Sequence, residues 1–260
     1  MDCYDNEIEI INYLQEIPKA HVALMNDLND EEQIFSCVHN PEQWKEWINS
    51  SGKSDLPPDF YCNSKKLMMD VMRVDDHSYI NKKGKIVNPY KMCETKILNE
   101  LKSIMGDRLL NKKVVLSPNT GLPTEQDHNY QYYKNNFTRV VRSHISKISQ
   151  YKANHPGYKI IFLIFDESSS YVESIYKLPR HPRAGEIYPG RPCFHFVDSN
   201  FLNVFIKSEI DYVIWFTPYK YIETQDGDII IDPRICVYNA QYPISQKIKY
   251  DESKIYSYEE

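Results

Sequence analysis

The sequence predicts an α/β fold, with a mixed central β-sheet flanked by helices. Three observations predict it. Residues 131–154 carry Phe137, Val140, Val141, His144, Ile145, Ile148 and Tyr151 on one helical stripe. After His155-Pro156-Gly157 comes the continuous apolar run Lys159-Ile160-Ile161-Phe162-Leu163-Ile164-Phe165, as expected of a strand buried on both faces. Further apolar runs at 194–197 and 212–216 supply more strands, and a helix feeding such a strand is the unit of α/β proteins. The chain has 260 residues, 42% hydrophobic and 26% charged, which is globular composition and enough to bury a core. We expect one domain over 1–260, with a helical N-terminal part to residue 50, a sheet core over 51–216, and C-terminal strands and a tail over 217–260.

The elements follow in order. Residues 5–17 place Ile8, Ile11 and Leu14 at helical spacing. Asn40-Pro41 is a helix start, with asparagine as cap and proline at the first position; that helix is expected to bury Trp44, Trp47 and Ile48. A loop over 50–58 leads to Phe60-Tyr61-Cys62. Next comes Lys66-Leu67-Met68-Met69-Asp70-Val71-Met72-Arg73-Val74, apolar on both faces. The turn-like Asn63-Ser64 between these runs favours a hairpin, with a helix as the rival for the second run. Residues 90–106 predict a helix, with Ile97, Leu98, Leu101, Ile104 and Met105 on one face and Gly106 as its stop. A short strand is expected at 113–116 and a polar loop at 117–128. Then come the 131–154 helix, the 159–165 strand and a long proline-bearing loop over 177–193. A strand at 194–197, a short helix at 200–208, and strands at 212–216, 229–231 and 235–238 complete the core. Residues after Asp251 are expected to fray.

Several classes of function are excluded. No apolar run reaches the roughly 20 residues that span a bilayer, so no membrane is expected. The first ten residues lack the basic, apolar and small-residue order of a signal peptide, which points to the cytoplasm. Six cysteines include no Cys-x-x-Cys pair, so they are expected as reduced thiols rather than a zinc site. The net charge of -5 argues against wrapping nucleic acid by bulk charge, but allows a local basic groove. No glycine-rich phosphate loop or nucleophile elbow is present.

Asp70 stands in the middle of an apolar run. An ionised carboxylate buried there must be paired with a cation or hold a metal. Eleven residues earlier is Pro58-Asp59. A hairpin joining the two would set Asp59 beside Asp70, and two close carboxylates repel unless a cation lies between them. Oxygen donors of this kind suit Mg²⁺ or Mn²⁺, which phosphodiester cleavage uses.

Pro58-Asp59, about ten residues, then Asp70-Val71-Met72 resembles the Pro-Asp…(Asp/Glu)-x-Lys signature of the restriction-endonuclease-like nuclease superfamily. The resemblance covers roughly residues 40–216. It implies a restriction-endonuclease-like α/β fold in which a helix precedes a hairpin bearing the acids, and a helix and a further strand follow. It also implies a metal-dependent nuclease that cleaves DNA or RNA, with Asp59 and Asp70 as catalytic metal ligands. Met72 occupies the lysine position, so Lys66 is the replacement cation, with Lys65 and Arg73 as weaker ones, and Arg73 on the opposite strand face. Glu94 or Glu46 would be a third carboxylate. Arg139, Arg142, Arg180 and Arg183 would face nucleic-acid phosphates. The rival implied by Met72 is a degenerate nuclease fold serving as a protein-interaction module.

Three other features are weighed as structural. Asp75-Asp76-His77 can ligate a metal, but more often caps a turn. Asp166-Glu167 with Ser168 to Ser170 lies where open sheets bind ligands, or caps a helix. His144, on an apolar helical face, is expected as a core histidine with one hydrogen bond.

Overall fold

The computed structural model describes residues 6–26, 29–51, 58–109, 121–122, 128–177, 189–223, 229–231, 233–242 and 247–258. The helices are α1 (Glu7–Glu16), α2 (Asn29–His39), α3 (Pro41–Trp44), α4 (Pro89–Met105), α5 (Tyr130–Ile145), α6 (Ile148–Asn154) and α7 (Ser199–Leu202). The strands are β1 (Val22–Leu24), β2 (Ile48–Asn49), β3 (Phe60–Cys62), β4 (Leu67–Val74), β5 (Tyr79–Ile80), β6 (Ile86–Val87) and β7 (Lys159–Asp166). They continue with β8 (Tyr171–Ser174), β9 (Gly190–Pro192), β10 (Tyr212–Phe216), β11 (Tyr221–Glu223), β12 (Ile229–Ile231), β13 (Ile235–Asn239) and β14 (Ile255–Ser257).

The central sheet has seven strands in the order β1-β13-β10-β7-β4-β3-β2. It is mixed. β4, β7 and β10 run parallel, while β2, β3 and β4 form an antiparallel meander. Its middle strands are buried on both faces, so their alternate side chains enter two cores. Met69, Val71, Ile161, Leu163, Phe165 and Ile214 pack under α1 and α2, against Ile10, Ile11, Leu14, Phe35 and Val38. Met68, Met72, Ile160, Phe162, Ile164 and Trp215 pack under α5 to α7, against Tyr133, Phe137, Val141, Tyr151 and Phe201. Each such apolar side chain, once buried, contributes about 1.5–3 kcal/mol.

The local reasons are legible. Asn129 caps α5 by accepting from the Tyr132 amide at 3.0 Å, and Tyr133, Phe137 and Val141 recur at one helical turn on its buried face. Asn88 caps α4 from the Lys91 amide at 2.9 Å, with Pro89 next, and Gly106 ends that helix at φ 50°. Among the described residues no helix is long and apolar enough to cross a membrane.

Several expectations change. The helix expected over 131–154 is two helices, broken after Ile145. The helix beginning at Pro41 lasts one turn; Trp47 is buried with its indole N–H on the Cys37 carbonyl at 2.9 Å, while Ile48 is exposed in an edge strand. Residues 195–197 form a 3₁₀ turn rather than a strand. The segment expected to fray carries β14, which pairs with β8. β11 and β12 form their own hairpin outside the main sheet. The strand expected at 113–116 lies outside the described residues.

Candidate functional site on strand β4

Strand β4 carries two constellations, one along its length and one just past its carboxyl end. The first is built on the β3–β4 hairpin. Its register pairs Phe60 with Met69 and Tyr61 with Met68, and one further step sets Asp59 opposite Asp70. Ser50 anchors the approach to β3: its hydroxyl donates to the Pro58 carbonyl at 2.5 Å and its amide to the Asp59 carbonyl at 2.8 Å. The Asp59 carboxylate then accepts from the Val71 amide at 2.7 Å. Burial and the adjacent Asp70 charge push Asp59 up to about 7, with a smaller push from Glu7 on α1. Ser51 donates to Glu7 at 2.9 Å.

Asp70 is buried on the face of β4 that meets α5 and α6. His144 Nδ1 lies 2.6 Å from its Oδ2, and the Tyr151 hydroxyl donates to the same oxygen at 3.2 Å. Burial and Asp70 hold the Tyr151 phenol above its usual range, so it stays a donor at neutral pH. The His144 side chain is 20% exposed. The side chain facing Asp70 is therefore a histidine from the helical layer, not an arginine or lysine.

The other predicted site residues are dispersed. Lys66 is exposed in the hairpin turn at φ 52°, four residues and thus roughly 13 Å of extended strand from Asp70. Met72 is buried in the α5–α7 core. Arg73 turns to the opposite face, as strand alternation requires, and pairs with Glu167 at 2.6 Å. Glu46 accepts from Ser64. Glu94 is half-buried on α4, and the charges acting most on Asp59 are Asp70 and Glu7 instead. Arg139 donates to Asn136 and lines a cavity of about 200 Å³ with Tyr79 and Tyr132, whereas Arg142 is exposed on α5. Arg180 and Arg183 lie outside the described residues.

The second constellation lies at the carboxyl ends of β4, β7 and β10. Asp75 is the turn cap, accepting from the His77 and Ser78 amides at 3.0 and 2.8 Å. Asp76 points inward and is fully buried. Its Oδ2 accepts from the Ser169 amide at 2.8 Å, the Ser169 hydroxyl at 2.6 Å and the Tyr171 hydroxyl at 2.7 Å. Its Oδ1 lies 3.5 Å from both His77 Nε2 and His128 Nδ1. Burial raises the Asp76 pKa, but the two histidines and Ser169 outweigh it and hold the carboxyl well below its usual range.

Beside it, Asp166 caps no helix, because β8 follows. It is instead a buried hub for the Tyr133 hydroxyl, for Trp215 Nε1 at 2.9 Å and for the Ser168 hydroxyl at 2.6 Å. Lys220, also buried, donates to Ser168 at 2.5 Å and to the Ser169 carbonyl at 2.8 Å.

His144, Glu7 and His128 were the residues that sequence reasoning missed as site members. The Asp70 anomaly was the one available signal for His144, since a buried carboxylate demands a partner. No family model matches this chain, and comparison with curated proteins and with solved structures finds no match.

Proposed function

We propose that the chain is a metal-dependent phosphodiesterase acting on DNA or RNA, with its site at Asp59 and Asp70. The observation that carries this reading is the pair of carboxylates set across one hairpin, the first directly after a proline. Their surroundings support it. A helix precedes the hairpin, and α5 then β7, parallel to β4, follow it. That is the order the restriction-endonuclease-like resemblance implies.

The donor set fits a hard divalent cation. Two adjacent carboxylates, one pushed up to about 7 by burial and then by the other's charge, need either a proton or a cation between them, and oxygen donors suit Mg²⁺ or Mn²⁺. Asp59 and Asp70 would hold the ion, while Glu7 adds only a lesser negative charge near Asp59. Such an ion lowers the pKa of bound water and offsets charge on the departing oxygen.

The chain's own residues do the rest. In this reading the Asp70 carboxylate accepts from His144 Nδ1, and the neutral imidazole keeps a lone pair on Nε2. We assign His144 the general-base role that the missing lysine leaves open. Asp70 orients the imidazole, and the Tyr151 hydroxyl fixes Asp70 in turn.

The test is cleavage of single- and double-stranded DNA and RNA with Mn²⁺. The wild type should cut. His144→Ala should lose about 10²–10⁴-fold, the usual contribution of a positioned base, and Asp70→Asn should abolish cutting without unfolding the chain. Met72, buried where the resemblance implies lysine, favours the second reading, a non-catalytic module that binds a protein partner. No cleavage by the wild type, together with no thermal shift on adding Mg²⁺ or Mn²⁺, would establish that reading instead.

A further inference from the structure

We propose that Asp76, His77 and His128 form a second, separate metal site, one that takes a divalent first-row transition ion, Zn²⁺ foremost. Each of the three residues offers a ligand atom, and these atoms lie within 4.8 Å of one another; His77 Nε2 and His128 Nδ1 are the nitrogens facing Asp76 Oδ1. They converge from the loop after β4 and from the residues before α5.

The spacing is informative. Asp76 Oδ1 is 3.5 Å from each imidazole nitrogen. A charge-assisted hydrogen bond between these groups would be about 2.7–2.9 Å. Ligands bound at about 2.0–2.1 Å around a tetrahedral ion stand roughly 3.3 Å apart. The observed separations match that edge better than they match a hydrogen bond.

The carboxylate is also oriented for the purpose. Asp76 is completely buried, and its Oδ1 has no hydrogen-bond partner among the described residues. Its Oδ2, by contrast, accepts three donors from Ser169 and Tyr171. A buried acceptor left without a hydrogen bond is costly, and here it is aimed between two imidazoles. Three hydrogen bonds on the other oxygen hold it there, as outer partners hold metal ligands. The His77 ring is fixed as well, stacked on Tyr90 at 4.5 Å and 12°.

The donor set selects the ion. Two imidazoles and one carboxylate suit Zn²⁺ and its neighbours, whereas Mg²⁺ and Ca²⁺ prefer all-oxygen sites. The Asp59–Asp70 pair is of that second kind, and the two sites differ in chemistry. An ion here would tie the β4 exit to the start of α5 and, through Ser169, to the β7–β8 turn.

The test uses the full chain, stripped with a chelator and dialysed. Titrated with Zn²⁺, the wild type should bind one equivalent tightly, and Co²⁺ should give the intense visible absorption of a four-coordinate site. Asp70→Asn should keep both properties. His77→Ala and His128→Ala should weaken Zn²⁺ binding at least roughly 100-fold. Should a variant fail to fold, imidazole ¹⁵N spectra of the wild type decide: Zn²⁺ should shift His77 Nε2 and His128 Nδ1 and leave His144 unmoved. Absence of tight binding, binding unchanged in both histidine variants, or a shift confined to His144 would overturn the proposal. Failure of nuclease activity would not touch it, because no step of this test reads cleavage.

Discussion

Midway along β4, Asp70 lies beside Asp59 and sets two like charges together, with a histidine and a tyrosine on Asp70. Past the carboxyl end of the same strand, Asp76 is a single acid between two imidazoles, with its second oxygen filled by donors. The contrast appears in their acidities. Asp59 is pushed up to about 7 by burial and its neighbour, while Asp76 is held down despite complete burial. One strand thus presents two carboxylate environments of opposite sign, the first suited to a hard cation and the second to a borderline one. Burial alone does not decide how a carboxylate behaves; the charge and donors around it do.

The sharpest way to break this comparison is to remove each acid. Asp76→Ala strands the Ser169 and Tyr171 donors and the two imidazoles in the interior. Breaking a buried charged network from one side costs about 3–5 kcal/mol, and urea unfolding should show a loss of that size. Asp70→Asn keeps an acceptor for His144 Nδ1 and relieves repulsion with Asp59, so its cost should stay below about 1 kcal/mol. Equal losses in the two variants would mean that both sites are structural networks of one kind.

The pH profile sharpens the same contrast in chelated protein. Asp59 has a folded pKa above its unfolded value near 4, so the folded state holds the proton more tightly. Stability from this group is complete below about pH 4 and is lost as pH rises through about 7. Asp76 is depressed, so its contribution is present above about pH 4 and is lost as pH falls below that. Between pH 4 and 8 the Asp59 contribution should fall by about 4 kcal/mol. Asp59→Asn should flatten that limb, and saturating Mn²⁺ should flatten it in the wild type. Urea midpoints across this range measure it, and an unchanged slope in Asp59→Asn would remove Asp59 as the cause.

Much of this was readable in the sequence, and the boundary has physical reasons. β4, β7 and β10 were visible because strands buried on both faces are continuous apolar runs. Asp70 was visible because it interrupted one. The facing of Asp59 and Asp70 followed from hairpin spacing, a local property. His144 was expected in the core and is half-buried at its margin; a helical stripe names a face and not the residue across from it. Asp76 and His128 are 52 positions apart, and only the docking of α5 brings them together. Asp75, which does cap the turn, masked the inward role of its neighbour. Phe194 to Val197 carries apolar residues at strand-like density, yet the chain turns there, with His195 packed on Trp215 at 4.7 Å and Phe196 edge-on to His195. β1 and β14 are three residues each, too short for any periodicity to register.

The smallest expected effect separates the two ends of the hairpin itself. Lys66 was the cation expected at the reacting phosphate, but it lies in the turn, exposed, at φ 52°. A non-glycine residue in that left-handed region costs about 1–2 kcal/mol. Glycine avoids that cost and gives back part of it through its greater freedom in the unfolded chain. Lys66→Gly should therefore stabilise the protein by about 0.5–1 kcal/mol and shift the urea midpoint upward without changing the slope. Because four residues of strand separate it from Asp70, the substitution should also leave Mn²⁺-dependent cleavage within about threefold of wild type, against the large loss expected at His144. A stabilised Lys66→Gly chain that has lost cleavage would return the catalytic cation to the turn and take the base role away from His144.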